Sequence, residues 1–290
     1  MNEWTTTTSG LIVPARPKRR VNAVDLFAGC GGFSCGLHAA GVDVVAALEW
    51  EASAAITYLW NLGNRRFGSL VGYGCEGDRA RLAKALEKSR RARRGFEVVP
   101  GDEGWIGMKN PNEDLGCRAL FFGDAREATG ENLLSMLEAS GWRGTIDVVV
   151  GGPPCQGFSR SGHQDPTDPR NNLVLEFLRI ADELGAGMFV IENVPPLLTE
   201  AKFEPLRLAL FAKANELGYT VAADVIDAVN YNVPQFRRRA LIRGDRGGRA
   251  IQLTMPETWS FVSRPGDPLP TSNKPAPETA HEDALLPLDW

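Results

Sequence analysis

From residue 21 onward the chain alternates short apolar runs with amphipathic stretches. VNAVDLFA (21–28) reads as a buried strand, GCGG as a tight turn, FSCGLHAAG (33–41) as a helix and VDVVAALE (42–49) as a second strand. LFFGD (120–124) and TIDVVVGG (145–152) are aromatic or β-branched runs that end in Gly or Asp, as strands buried on both faces do. Within 171–184, Leu173, Phe177, Ile180 and Leu184 recur at the spacing of one helical face. MFVIE (188–192) is a further strand, and Phe203, Leu206, Leu210 and Leu217 line one side of a helix near 200–217. YTVAADVID (219–227) and RALIR (239–243) close the series. Strands alternating with helices predict an α/β domain with a mostly parallel central sheet.

Three segments break that rhythm. Residues 1–20 read as a flexible arm, and residues 62–118, with one basic helical stretch near 78–94, read as an insertion on the alternating frame. Residues 256–290 are Pro-rich and read as an extended tail, with six acids against two bases from 250 onward. The catalytic frame is therefore expected over 21–255.

Composition narrows the class. With 43% hydrophobic and 23% charged residues the chain is neither disordered nor fibrous. Its uninterrupted apolar runs fall short of the roughly 20 residues a membrane helix needs. The first residues lack the apolar stretch of a secretory signal, so no membrane association and a cytoplasmic location are expected. Five cysteines without a CxxC pair and three scattered histidines suit free thiols better than disulfides or a metal site. The net charge of −4 hides three basic runs. Residues 79–94 hold eight basic residues, 235–249 hold six and 16–20 hold four, together 18 of the 32. One such run is commonly a solvated face; three favour a polyanionic partner, because phosphate contacts need local positive charge.

Four constellations carry chemistry. Asp25-Leu-Phe27-Ala-Gly29-Cys-Gly31-Gly32 sits where the first strand turns into the first helix. Glycines there let a ligand approach the backbone, and Glu49, ending the second strand, can accept both hydroxyls of a ribose. Ser34 stands where the dinucleotide fingerprint needs glycine, which favours a nucleoside ligand without a pyrophosphate; a turn that binds nothing is the alternative. Gly151-Gly-Pro153-Pro154-Cys155-Gln156-Gly-Phe-Ser159 follows a strand directly. Prolines stiffen that loop, and a cysteine held at the ligand-binding edge of an α/β sheet suits a nucleophile better than a core position. Glu192-Asn193-Val194 ends the strand MFVI. A right-handed crossover brings Glu192 to the same edge as Cys155, and strands that pair directly lie about 4.8 Å apart. Gln235-Phe-Arg237-Arg-Arg239 alternates arginines toward one face, which suits phosphates or a base carbonyl; a solvated basic strand is the alternative.

In their order, DLFAGCGG, GGPPCQGFS, ENV and QFRRR resemble the C5-cytosine DNA methyltransferases, over about residues 21–259. The resemblance implies a Rossmann-like S-adenosylmethionine-dependent methyltransferase fold. It implies S-adenosylmethionine at Asp25, Phe27, Gly29 and Gly31, its ribose on Glu49 and its adenine on Trp50. Asp124 would meet the adenine amino group, with Ala125, Pro153 and Leu173 bordering the pocket. Cys155 would be the nucleophile, Glu192 the acid at the cytosine ring, and Arg239, supported by Arg237, a contact to the target base or its backbone. Pro154, Gln156, Ser159 and Gln235 would line the substrate, a cytosine flipped out of double-stranded DNA. No metal is implied.

In the family a target-recognition domain and two closing motifs follow. Here MPETW (255–259) resembles the linker to that part, and nothing after it resembles the closing motifs. The chain is therefore expected to resemble the catalytic subunit of a split enzyme, with a second protein subunit supplying target recognition. A tRNA cytosine methyltransferase and a non-catalytic cofactor-binding subunit are the competing readings.

Overall fold

The computed structural model describes residues 20–92, 115–154 and 168–248 except 232 and 234, together with short strand segments at 4–6, 12–14, 100–101 and 104–105. Eight strands form one sheet: β1 (Asn22–Leu26), β2 (Asp43–Glu49), β3 (Leu70–Tyr73), β4 (Ala119–Phe122), β5 (Val148–Gly151), β6 (Met188–Asn193), β7 (Thr220–Asp227) and β8 (Arg238–Asp245). Their spatial order is β7-β8-β6-β5-β1-β2-β4-β3. All neighbours from β6 to β3 pair in parallel, while β8 runs antiparallel to both β6 and β7. The expected α/β fold with a mostly parallel sheet is thus present.

The apolar runs form the centre of this sheet because both of their faces are covered. All seven residues of β2 are buried. On one face α4 (Gly130–Ala139), α5 (Leu173–Glu183) and α7 (Glu204–Glu216) pack against Val24, Leu48, Phe121 and Ile191. On the other, α2 (Ala52–Leu62) and α3 (Glu76–Ala92) pack on Ala47, Leu120 and Phe122, while Phe33 and Leu37 of α1 (Gly32–Ala39) reach Val44 and Val150. The one-turn helix α6 (Pro196–Thr199) links β6 to α7. Among the described residues no helix is long and apolar enough to cross a membrane.

Within 62–118, read as an insertion, described residues on either side of the part left undescribed join the frame. β3 pairs with β4 at the sheet edge, and Leu82 and Leu86 of α3 enter the core. α2 and α4 were not anticipated; the side chains of Glu51 and Thr129 cap them. In residues 1–20, Trp4–Thr6 pairs antiparallel with Ile12–Pro14. The tail at 256–290 lies outside the described residues.

Candidate active site

The β1–α1 turn is built on left-handed backbone. Phe27, Gly29 and Gly31 have φ of 58°, 55° and 92°, a region costly for residues bearing a Cβ. A Cβ on Gly29 would meet nothing within 4 Å, so this side of the turn is open; one on Gly31 would lie 2.1 Å from Leu62 Cδ1. Gly31 caps α1 without a side-chain hydrogen bond.

Glu49 grips this turn from the end of β2. Gly29 N donates to Oε2 and Glu51 N to Oε1, each at 2.6 Å. Burial raises the Glu49 carboxyl above its ordinary value, against the opposing pull of those backbone bonds. Each oxygen keeps lone-pair capacity for a further hydroxyl, as a ribose contact requires. Trp50 beside it is 52% exposed. The guanidinium of Arg81 lies 4.0 Å from the Trp50 ring centroid and 4.6 Å from that of Phe122, a cation–π arrangement that covers one face of the indole. Asp78 holds Arg81 at 2.7 Å.

The second half of the site lies where β5 and β6 end. Ile191 pairs with Gly151, so Glu192 and the Gly152–Pro154 loop start side by side. β6 buries Phe189, Ile191 and Asn193 and leaves Met188, Val190 and Glu192 half-buried. Arg239 Nε donates to Glu192 Oε1 at 2.5 Å. A Cβ on Gly152 would lie 3.3 Å from Glu192 Oε2, so that oxygen faces the loop. The buried Asn193 donates through Nδ2 to Pro153 O at 3.2 Å and accepts from Val194 N, tying the loop to β6 two residues before Cys155.

The residues named from the sequence divide as follows. Glu49, Gly29, Gly31, Phe27 and Trp50 gather at the first turn; Glu192, Arg239, Pro153 and Pro154 gather at the second edge. Asp25 is only 1% exposed and bonds to Ser34, so its carboxylate is sealed beneath the turn rather than presented to a ligand. Asp124 is held bidentately by Arg126, which lowers its carboxyl below the usual range. Ala125 is buried and accepts through its carbonyl from Arg179. Leu173 opens α5 and packs against the main core. Arg237 and Gln235 are exposed; the Arg237 backbone N–H donates to Asp227. Cys155, Gln156 and Ser159 lie outside the described residues.

Sequence reasoning missed Arg81 and Arg243 and gave Asn193, named within the ENV motif, no role of its own. Arg243, within the basic run at 235–249, is 3% exposed and pairs with Asp224 on β7.

Residues 21–70 and 122–283 match the family model described as C-5 cytosine-specific DNA methylase. The chain is 29% identical over 233 residues to the type II methyltransferase M.DdeI of Desulfomicrobium norvegicum, covering 80% of this chain and 42% of that protein. It is 29% identical over 242 residues to the type II methyltransferase M.AquIA of Picosynechococcus sp., covering 80% and 75%. A solved structure described as a DNA modification methyltransferase encoded within an E. coli prophage superposes with a TM-score of 0.54 at 25% identity, over 82% of this chain and 51% of that one. The chain thus spans about half or less of the length of two of these three relatives.

Proposed function

The chain belongs to the C-5 cytosine-specific DNA methylase family, and from that premise we propose that it transfers a methyl group from S-adenosylmethionine to carbon 5 of a cytosine in duplex DNA. The observation that carries this reading is the meeting of Glu192 and Arg239 beside Gly152, at the ends of adjacent parallel strands. The β1–α1 turn suits the donor: an open face over Gly29, a carboxylate with spare lone pairs at Glu49, and an exposed indole at Trp50. Bound there, S-adenosylmethionine supplies an electrophilic methyl group.

The chain's own residues prepare the acceptor. Carbon 5 of cytosine is a poor nucleophile. The Cys155 thiolate adds to carbon 6, which turns the ring into an enamine with a nucleophilic carbon 5. As the thiolate adds, Glu192 passes a proton to N3, so that the ring does not build up negative charge, while Arg239 holds Glu192 by one oxygen and leaves the other for the base. Carbon 5 then bonds to the methyl group as its bond to the sulfonium sulfur breaks, N3 returns its proton to Glu192, and loss of the carbon 5 proton to water with elimination releases the Cys155 thiolate. The target base must leave the duplex to reach this edge, since carbon 6 is stacked inside it.

Target recognition, on this reading, comes from protein outside residues 20–248, in the form of a second polypeptide. Arg237, Arg238 and Phe236, all exposed, lie at the edge where such a partner and the DNA would meet.

The test is transfer of labelled methyl from S-adenosylmethionine to duplex DNA, with tRNA in parallel, and with and without the product of a neighbouring reading frame. DNA containing 5-fluorocytosine should trap a covalent adduct. Transfer to tRNA and not to DNA would overturn the substrate assignment, and full site-specific activity from this chain alone would overturn the need for a partner.

A further inference from the structure

Three buried polar side chains run in a line beneath the Phe27–Gly31 turn. Asp25 is 1% exposed, and Ser34 and Tyr58 are fully buried. Ser34 Oγ donates to Asp25 Oδ2 at 2.6 Å and lies 2.8 Å from the Tyr58 hydroxyl. The direction that gives every hydroxyl proton an acceptor runs from Tyr58 to Ser34 to Asp25. The three residues come from α2, α1 and β1, so the chain of bonds ties together the three elements around the turn.

Tyr58 touches the turn twice. A Cβ on Gly31 would lie 2.9 Å from Tyr58 Cδ2 and 3.2 Å from Cε2, so the ring is the floor under Gly31. Its hydroxyl meanwhile holds the first turn of α1 through Ser34. Packing alone would not call for this arrangement. Asp25 Oδ1 is buried with no hydrogen-bond partner, and a buried polar group left unmatched is unfavourable. What the three groups gain is a fixed shape for a segment with three left-handed residues, which persists only where its surroundings over-determine it. Glu49 fixes the turn at Gly29 from above; Tyr58 and Ser34 fix it at Gly31 and α1 from below.

We propose that Ser34 and Tyr58 are positioning residues for the methyl donor: they lock α1 and α2 to β1 so that the Phe27–Gly31 turn keeps the shape that receives it. This rests on the donor-binding reading given above. Neither side chain touches the donor; both act through the turn.

Tyr58→Phe removes the hydroxyl and keeps the ring under Gly31, and Ser34→Ala breaks the same line at its centre. Isothermal titration of the full chain with S-adenosylmethionine, read beside the melting temperature, separates the possibilities. The expected result is a dissociation constant raised about three- to tenfold in each variant, as loss of one hydrogen bond gives. The two losses should not add, because either variant breaks the same chain of bonds. The KM for the donor should rise in parallel, with kcat at saturating donor within about twofold of the parent. A lowered melting temperature with an unchanged dissociation constant in Ser34→Ala would overturn the proposal, whether or not Tyr58→Phe folds. Failure of the parent chain to bind the donor at all would instead sink the reading beneath it.

Discussion

Arg239 reaches across from β8 to Glu192 on β6 and donates to one carboxylate oxygen at 2.5 Å, while the other oxygen faces Gly152. The two side chains meet because β8 runs antiparallel beside β6, with Leu241 opposite Glu192. Arg239 lies two residues from Leu241 and so points to the same face. A carboxylate pinned on one side keeps a single orientation for its free oxygen, which is what a base-binding group needs.

Glu192→Gln should therefore harm chemistry far more than folding. The side chains of Arg239 and Glu192 are 24% and 31% exposed, and ion pairs with that much water contact contribute about 1 kcal/mol or less. Single-turnover methyl transfer should fall by about a hundredfold or more, with the melting temperature shifted by only a few degrees. Arg239→Ala should lower the same rate by freeing the carboxylate to turn. A near-parent rate in Glu192→Gln would remove Glu192 from the mechanism.

Cys155→Ser should abolish turnover, since a serine hydroxyl is far less nucleophilic at neutral pH than a thiolate. It should also lose the covalent adduct with 5-fluorocytosine DNA while retaining binding of S-adenosylmethionine, read by gel shift and by titration respectively. An adduct that survives the substitution would place the nucleophile elsewhere.

Much of this site could be read from single strands and turns. β1, β2 and β5 stand out because burial on both faces makes them apolar runs, β6 because its half-buried positions are apolar too, and Glu49 and Glu192 stand out as acids ending such runs. Helix α2 was hidden by small residues in ASAAITYLWNL, although Ala55, Ile56, Tyr58, Leu59 and Leu62 do follow helical spacing. Strand β3 was hidden because LVGY is short and its partner β4 lies nearly 50 residues away. Arginines resisted reading most. Arg81 looked like part of a solvated or DNA-binding run but packs on Trp50 and Phe122; Arg243 counts within the basic run at 235–249 but is buried against Asp224. Charge runs show only that cations are near in sequence, and tertiary pairing decides which of them face water.

Two buried groups should oppose each other in the pH dependence of stability. Burial pushes the Asp25 carboxyl up from 3.8 to about 7, against the pull of the Ser34 hydrogen bonds. Between those values the unfolded chain has lost a proton that the fold retains, so stability falls as pH rises through this window and levels off above it. His38 behaves oppositely: burial lowers it from 6.5 to about 4, and its Nε2 must stay unprotonated to accept from Val44 N at 3.2 Å. Its contribution is complete above 6.5 and is lost as pH falls toward 4. Each slope is at most about 1.4 kcal/mol per pH unit, and in the parent the two oppose each other between pH 4.5 and 6.5. Urea denaturation across that range should show stability rising with pH in Asp25→Asn and falling with pH in His38→Gln. Parallel slopes in the two variants would contradict both assignments.

Gly29 and Gly31 offer a crossed test of the donor turn, because the same methyl added at each meets different surroundings. At Gly31 the new Cβ would lie 2.1 Å from Leu62 Cδ1 and 2.9 Å from Tyr58 Cδ2, at a φ of 92°. Overpacking and left-handed strain together should cost about 2–4 kcal/mol. At Gly29 the Cβ would meet nothing within 4 Å, so only the backbone term of about 1 kcal/mol applies. If the open side of Gly29 is where S-adenosylmethionine lies, that methyl occupies its place. Gly29→Ala should then be the more stable variant and the poorer binder, whereas Gly31→Ala should show the larger fall in melting temperature. Stability and donor affinity falling in the same order in both variants would mean that the space above Gly29 is not the donor site, and the turn would have to be read as structural alone.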